Sequence, residues 1–272
     1  MTGWYASDGP ISAISADDRG LQYGDGLFET IAIRDGRPRL LATHVARLAS
    51  SCARLGLPYP GDVVVGQLLR DILEQNDRPS RGIVKLVLTA GDGPRGYARP
   101  SSPTPRLIGR FSSYDGVDPS LYERGVHVGW SEITASIQPA LAGVKSLNRL
   151  DQVLARQQLG TDFEHLLCDL ESRIICGTMS NIMFVFDEQL VTPDLSRAGV
   201  AGVMRSTVME ALGSIIVRDV SRADVGEASE ALLCNSQFGV LPVATLDGAS
   251  FTARTGYDRV RSALQRAGVM EP

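Results

Sequence analysis

The sequence predicts an α+β protein of two domains. Three observations carry this. The chain has 272 residues, more than one small hydrophobic core normally organises. Short runs rich in β-branched residues are interspersed with segments of helical period. A loose stretch, "SSYDGVDPS", interrupts the pattern near residue 115. The expected domains are residues 1–115, an α+β unit, and residues 116–272, an α/β unit, with mixed sheets and flanking helices.

Taken in order, "GLFETIAIRDGRPRLL" reads as a hairpin: a strand over 27–33, a tight turn at Arg34-Asp35-Gly36-Arg37, then the return strand. "ATHVARLASSCARLG" places Val45, Leu48, Cys52 and Leu55 at helical spacing, with Thr43 as its cap and Gly56 as its stop. A second helix is expected over 62–75, and strands over 82–89 and 106–111. The second half opens with a strand over 126–130. "TASIQPALAGVKS" has no clear period and reads as an ordered loop. Asn148 should cap a helix in which Leu150, Val153, Leu154 and Gln157 stack on one face. Strands follow over 165–169, 173–175, 181–186 and 189–192, with turns at "LES" and "DE". "GVMRSTVMEALG" is a helix, 215–220, 231–234 and 240–246 are strands, and "YDRVRSALQRAG" is the closing helix.

Composition excludes several classes. A hydrophobic content of 43% and a charged content of 21% fit a soluble protein with a sizeable core. The net charge of −4 gives no basic field for nucleic acid or an acidic membrane. No apolar run reaches membrane-spanning length, and "MTGWYASDGP" lacks a signal-peptide layout. Cys52, Cys168, Cys176 and Cys234 form no CxxC pair, and with the 3 histidines they make no zinc pattern. A reducing cytoplasmic compartment and no bound metal are the simplest expectation.

Only two of the 27 basic side chains are lysines, Lys85 and Lys145. Either cation keeps charge on a surface, so drift from lysine to arginine is blocked only where the amine itself is needed. Lysine can lose its proton and attack a carbonyl; guanidinium cannot. Lys85 lies in the strand "RGIVKLVLTAG" with Ile83 and Val87 on its face, and reads as an edge-strand or snorkelling charge. Lys145, in "GVKSLNR", is the candidate for chemistry.

"GDGPRG", Gly91 to Gly96, matches a dinucleotide-binding pattern and follows a strand. The proline-rich "YARPSSPTP" after it cannot supply the required helix, so that reading fails. "AGVAGVMRSTVME" leads two glycines into a helix whose first turn, at Val203 and Met204, offers backbone N–H groups to an anion. "CNSQFGVLPV" puts Asn235 and Ser236 at a strand end, where an ordinary turn is the plainer reading.

"YGDGLFET", "HVARL", "GVKSLNRLDQVLAR", "GTMSNIMF", "AGVMR" and "CNSQFGVLPV" stand in the order seen in fold-type IV pyridoxal-phosphate enzymes. The chain resembles that family from about residue 20 to 245. The family includes branched-chain and D-amino acid aminotransferases and the aminodeoxychorismate lyases. "LNRLDQVLAR" with Arg149, the "GDGPRGY" loop and "CNS" lean toward the lyases. The resemblance implies pyridoxal 5'-phosphate as cofactor, held in a cleft between the two domains, and a homodimer. It implies Lys145, in the C-terminal domain, as the Schiff-base lysine and general base. Arg47 would hold the cofactor phosphate, with Val203, Met204 and Ser236 adding contacts. Phe28 and Thr30 alternate on one strand and can face the substrate; Arg95, Tyr97 and Asn235 are further substrate contacts. Arginine suits a substrate with two carboxylates, which it grips bidentately. The implied reaction converts 4-amino-4-deoxychorismate to 4-aminobenzoate and pyruvate, for folate synthesis. An aminotransferase or a member that has lost its chemistry are the alternatives.

One position departs from the family pattern. Its usual glutamate before "GT.SN", partner of the pyridine nitrogen, is Cys176 here. A thiol is a weak donor and uncharged unless ionised, so the ring should be a weaker electron sink. Transamination depends on that sink. The lyase reaction depends on it less, because a leaving group takes the electrons and aromatisation drives the step.

Overall fold

The computed structural model describes residues 3–270, so positions 1–2 and 271–272 of the expected domains fall outside it. The chain forms two compact units. The first runs to Gly116 and includes Lys145–Asn148; the second is Val117–Val144 with Arg149 onward.

In the first unit the strands and helices are β1 (Trp4–Ala6), β2 (Gly9–Ile11), α1 (Arg19–Tyr23), β3 (Gly26–Arg34), β4 (Arg37–Pro38), α2 (Leu41–Leu55), α3 (Asp62–Glu74), β5 (Arg81–Thr89) and β6 (Arg106–Ser112). They build one six-stranded sheet in the order β2-β1-β6-β5-β3-β4. The hairpin is as expected. Asp35 (φ 49°) and Gly36 (φ 70°) are both left-handed, the turn that matches strand twist. β5 lies between β3 and β6, so Lys85 is on an interior strand rather than an edge. Ile31, Ile33, Val84, Leu86 and Leu88 are fully buried, with Leu48, Leu68 and Ile72 of the two helices.

α2 differs from expectation at its start. Arg39 N–H donates to Ala32 C=O, the chain turns at Leu40 (φ 54°), and the helix begins at once. Thr43 is therefore inside it and caps nothing. Gly56 does end it: its N–H bonds Ala53 C=O while Leu57 N–H bonds Cys52 C=O.

The second unit contains α4 (Leu121–Arg124), β7 (Val126–Trp130), α5 (Leu150–Arg156), β8 (Glu164–Cys168), β9 (Ile174–Gly177), β10 (Asn181–Phe186), β11 (Gln189–Pro193), α6 (Val203–Leu212), β12 (Ile216–Arg218), β13 (Glu230–Asn235), β14 (Gly239–Leu246), β15 (Ala249–Ser250) and α7 (Thr255–Arg266). Its sheet runs β12-β11-β10-β13-β14-β7-β8-β9, with β15 beside β14. The β7/β8, β7/β14 and β11/β12 pairs are parallel and the rest antiparallel, a mixed sheet. Phe184, Leu166, Ile174, Leu233 and Leu241 centre its core. Buried Glu230 reaches from β13 to cap α7, accepting from Gly256 and Tyr257 N–H at 2.7 and 2.9 Å.

α5 corrects two expectations. Asn148 does not cap it; the cap position is Arg149, without a side-chain bond. Asn148 Oδ1 instead sits 2.6 Å from where a Cβ on Gly24 would lie. The expected stacked face is also exposed, with Leu150 at 73%, Val153 at 51% and Leu154 at 53%; only Ala155 is buried.

Candidate active site

Lys145 is fixed to the first unit by backbone pairing. Phe28 N–H donates to Lys145 C=O and Leu147 N–H to Gly26 C=O, both at 3.0 Å, with Leu27 bridged to Ser146. Gly26 makes room: a Cβ there would lie 2.4 Å from Leu88 O and 2.9 Å from Leu147. This pairing is why 145–148 groups with the first unit, where the sequence reading had Lys145 in the domain 116–272. The half-buried Lys145 places Nζ 4.3 Å from the Phe28 ring centre, and Lys85 places its own at 5.3 Å. Both lysines of the chain thus face one aromatic ring. Thr30 lies two residues along β3, on the same face as Phe28.

Glu29, between them, points to the opposite face. There it meets α2: His44 Nδ1 lies 2.6 Å from Oε2, and Arg47 donates through Nε to Oε1 at 2.8 Å and through Nη2 to Oε2. Burial alone would raise the Glu29 pKa, but the His44 and Arg47 hydrogen bonds and the Arg47 charge outweigh it and hold the carboxyl below its ordinary range. Burial pulls His44 down, against the pull of Glu29. The ring is therefore neutral at neutral pH, with Nδ1 the donor, and its buried Nε2 makes no hydrogen bond among the described residues. Arg47 is a well-held cation at the first turns of α2.

The loop after β5 carries Arg95 and Tyr97, both exposed, on a pinned backbone. Buried Arg19 of α1 donates to the carbonyls of Gly96, Tyr97 and Ala98 at 3.0, 2.7 and 3.2 Å, and to Asp25. Arg99 pairs with the same Asp25, whose carboxyl these two arginines hold low against the opposing effect of burial. The Tyr23 and Tyr97 rings meet edge-on at 5.4 Å. No helix follows Gly96, in agreement with rejection of the dinucleotide pattern.

In the second unit, the "GTMSN" segment is organised by Glu164, which is fully buried on β8. Its carboxylate accepts from Thr178 N–H (3.0 Å), Met179 N–H (3.1 Å), Ser180 Oγ (2.8 Å) and the Thr178 hydroxyl. Arg156 approaches to 3.7 Å. Cys176, just before this segment on β9, is buried among Ala135, Ala155, Leu167, Ile175, Leu195 and Ala198. Arg149 is half-buried; burial lowers its pKa, and neighbouring Cys176 and then Asp151 oppose that. The buried thiol of Cys176 thus has the Arg149 guanidinium as a charged neighbour.

Val203 and Met204 form the buried first turn of α6, after Gly202. A Cβ on Gly202 would lie 2.0 Å from Asn181 Oδ1, and Asn181 Nδ2 holds Val200 C=O at 3.0 Å. The approach to this helix N-terminus is thus built around the last residue of "GTMSN". Asn235 builds the turn after β13: its Oδ1 accepts from Gln237 and Phe238 N–H at 2.8 and 2.9 Å, and its Nδ2 donates to Met179 C=O at 3.3 Å. Ser236 follows in that turn, half-buried, its hydroxyl taking a bond from Gln237 Nε2.

The family model for amino-transferase class IV matches residues 26–246, most of the chain and every segment just described except α1 and Asp25. The chain belongs to the class IV aminotransferase family. Within this family it is 35% identical over 246 residues to an aminodeoxychorismate lyase of Vibrio harveyi, covering 86% of this chain and 88% of that one. It is 27% identical to a D-alanine aminotransferase of Bacillus licheniformis over 87% of this chain and 84% of that one. The solved structure of 4-amino-4-deoxychorismate lyase from Pseudomonas aeruginosa superposes with a TM-score of 0.91 at 39% identity, covering 98% of this chain and all of that one.

Several residues of this class IV fold escaped the sequence reading: Arg19, Asp25, Glu29, His44, Arg99 and Glu164. Glu29 and His44 carried a weak signal, because a carboxylate in a β-branched strand and a histidine on the apolar face of a helix both need buried partners. Arg19 and Glu164 carried none, since their partners lie far along the chain or are backbone groups.

Proposed function

We propose that this chain is an aminodeoxychorismate lyase, converting 4-amino-4-deoxychorismate to 4-aminobenzoate and pyruvate for folate synthesis. The observation that carries the reading is a lysine amine held by β3 over Phe28, in a chain that keeps only two lysines. The greater identity to the two lyases than to the D-alanine aminotransferase supports it.

The family depends on pyridoxal 5'-phosphate, and the donor set here fits it. Arg47 supplies a cation, the first turn of α6 at Val203 and Met204 supplies backbone donors, Ser236 a hydroxyl, and Lys145 a primary amine. By the family pattern Cys176 would meet the ring nitrogen, with Arg149 as its charged neighbour. When bound, the cofactor supplies an aldehyde for amines and an electron-withdrawing ring. Lys145 then acts as general base, taking the proton from substrate C4. The C3–O bond breaks with its electron pair on the departing enolpyruvate, which takes up a proton to become pyruvate, and the ring becomes aromatic. Phe28 and Thr30 line the approach to Lys145 from the same sheet face, and Arg95, Tyr97 and Asn235 are assigned to the substrate side.

We also assign the chain to the cytoplasm, as a homodimer. Four free, buried cysteines accord with a reducing compartment, and exposed Leu150, Val153 and Leu154 on α5 accord with a subunit contact. The reaction class is tested by a half-reaction: purified holoenzyme is mixed with D-alanine, and separately with L-leucine. Little conversion to pyridoxamine phosphate is expected. Rapid stoichiometric conversion would replace the lyase by an aminotransferase.

A further inference from the structure

The segment that carries Lys145 rests on the entry to β3, the tripeptide Gly24-Asp25-Gly26. Leu147 N–H donates to Gly26 C=O at 3.0 Å, and Asn148 packs on Gly24, where a Cβ would stand 2.6 Å from its Oδ1. A side chain at either glycine would collide with the segment. Asp25 stands between them. Its carboxylate accepts from Arg19 Nε and Arg99 Nε on Oδ2, both at 2.9 Å, and from Arg99 Nη2 on Oδ1 at 2.5 Å. Its backbone is held as well: Asp25 N–H donates to Arg19 C=O at 3.2 Å, and Ala90 N–H donates to Asp25 C=O at 2.9 Å. Each arginine is anchored elsewhere. Arg19 is buried under the carbonyls of Gly96, Tyr97 and Ala98, and Arg99 donates to Leu55 C=O at 2.5 Å, at the end of α2. One carboxylate thus braces the entry to β3 against α1, the end of β5 and the end of α2.

We propose that Asp25 is the positioning residue of Lys145, holding the platform of Gly24 and Gly26 on which the lysine's segment lies. The two glycines let residues 145–148 come close, and the same two leave their own backbone loose. A fixed amine requires that freedom to be removed. Charge-assisted bonds from two guanidiniums to one carboxylate remove it. Asp25 acts through Gly26 C=O on Leu147, and through the start of β3 on the bond from Phe28 N–H to Lys145 C=O. The proposal rests on the reading of Lys145 as the reacting amine. A displacement of about 1 Å at a reacting group costs on the order of a hundredfold in rate, so a loosened platform shows in turnover before it shows in binding.

The test compares holoenzymes of wild type, Asp25→Asn, Arg99→Met and Leu68→Ala, each below its melting temperature. Two quantities are read: kcat and KM for 4-aminobenzoate formation, and the pH midpoint at which the absorbance of the cofactor joined to Lys145 changes. Asp25→Asn is expected to lower kcat by about tenfold or more, with KM within about threefold, and to move the midpoint by about half a pH unit or more. Arg99→Met should act in the same direction, lowering kcat by about threefold or more. Leu68→Ala opens a cavity in the core of the same unit, so it should lower the melting temperature and leave the midpoint in place. If Asp25→Asn does not fold, Arg99→Met decides by its own limits. An unmoved midpoint with kcat within about twofold of wild type overturns the proposal. So does a Leu68→Ala midpoint that moves as far as that of Asp25→Asn, because lost stability would then account for the effect. A midpoint that moves in Asp25→Asn, in a protein whose wild type makes no 4-aminobenzoate, removes the lyase reading and leaves the role of Asp25 standing.

Discussion

The Lys145 side-chain nitrogen lies 4.3 Å from the centre of the Phe28 ring, and a 3.0 Å backbone bond from Phe28 N–H to Lys145 C=O joins the same two residues. The backbone bond fixes where the lysine leaves the chain; the ring fixes where its amine ends. Cation–ring attraction at partly exposed sites is worth about 0.5–2 kcal/mol. Phe28→Leu should therefore lower kcat by roughly 2- to 30-fold at about 1.4 kcal/mol per decade, while leaving cofactor content intact. Steady-state kinetics with matched cofactor absorbance checks this.

Glu164 joins four donors of the 178–180 segment inside the second unit. Removing the carboxylate strands those donors in a buried site. Glu164→Ala should cost about 3–5 kcal/mol of unfolding free energy, read by denaturant titration. Glu164→Gln, which keeps one acceptor, should cost less. A Glu164→Ala protein as stable as wild type would show that the segment holds itself.

His44 makes stability depend on pH. Its folded pKa is depressed, first by burial, from its ordinary value of 6.5. The unfolded chain therefore binds the proton first as pH falls. The stability contributed is complete above pH 6.5 and is lost below it, down toward the folded value. Glu29, also depressed, acts with the same sign at lower pH. Between pH 7 and 5.5, wild type should lose about 1 kcal/mol more than His44→Asn, measured by denaturant titrations at each pH.

Cys176→Glu restores a carboxylate beside Arg149. That guanidinium offers a partner for the new charge, so the variant should fold despite the burial of position 176. Lyase turnover should change little, and conversion to pyridoxamine phosphate with D-alanine should rise about tenfold, a difference of about 1.4 kcal/mol. A large loss of lyase turnover would give the thiol a role of its own.

The strands and helices with strong period were legible in the sequence. The 126–130 and 181–186 strands and the turn at Asp35-Gly36 are where the pattern puts them. Caps were less legible, because a cap depends on the chain's direction of entry. Leu40 turns left-handed straight out of β4 and leaves Thr43 inside α2; Glu230 caps α7 from a strand two dozen residues away. The α5 pattern misled because an apolar stripe states what should be covered, not what covers it. Of the site, composition narrowed the chemistry to two lysines, Lys85 and Lys145; local sequence and the family resemblance pointed to Lys145. Its union with β3, and the meeting of Lys85 with the same ring, are contacts between segments about 60 and 115 residues apart, roughly speaking, and no local pattern encodes such distances.

The most direct measurement is product formation. Purified protein is given chorismate, glutamine, pyridoxal phosphate and the synthase that makes aminodeoxychorismate, and 4-aminobenzoate is quantified beside a Lys145→Ala control. The account predicts 4-aminobenzoate and pyruvate in equal amounts from wild type and at least a thousandfold less from the variant, about 4 kcal/mol of lost barrier reduction. Full activity in Lys145→Ala, or no product from wild type, would contradict it.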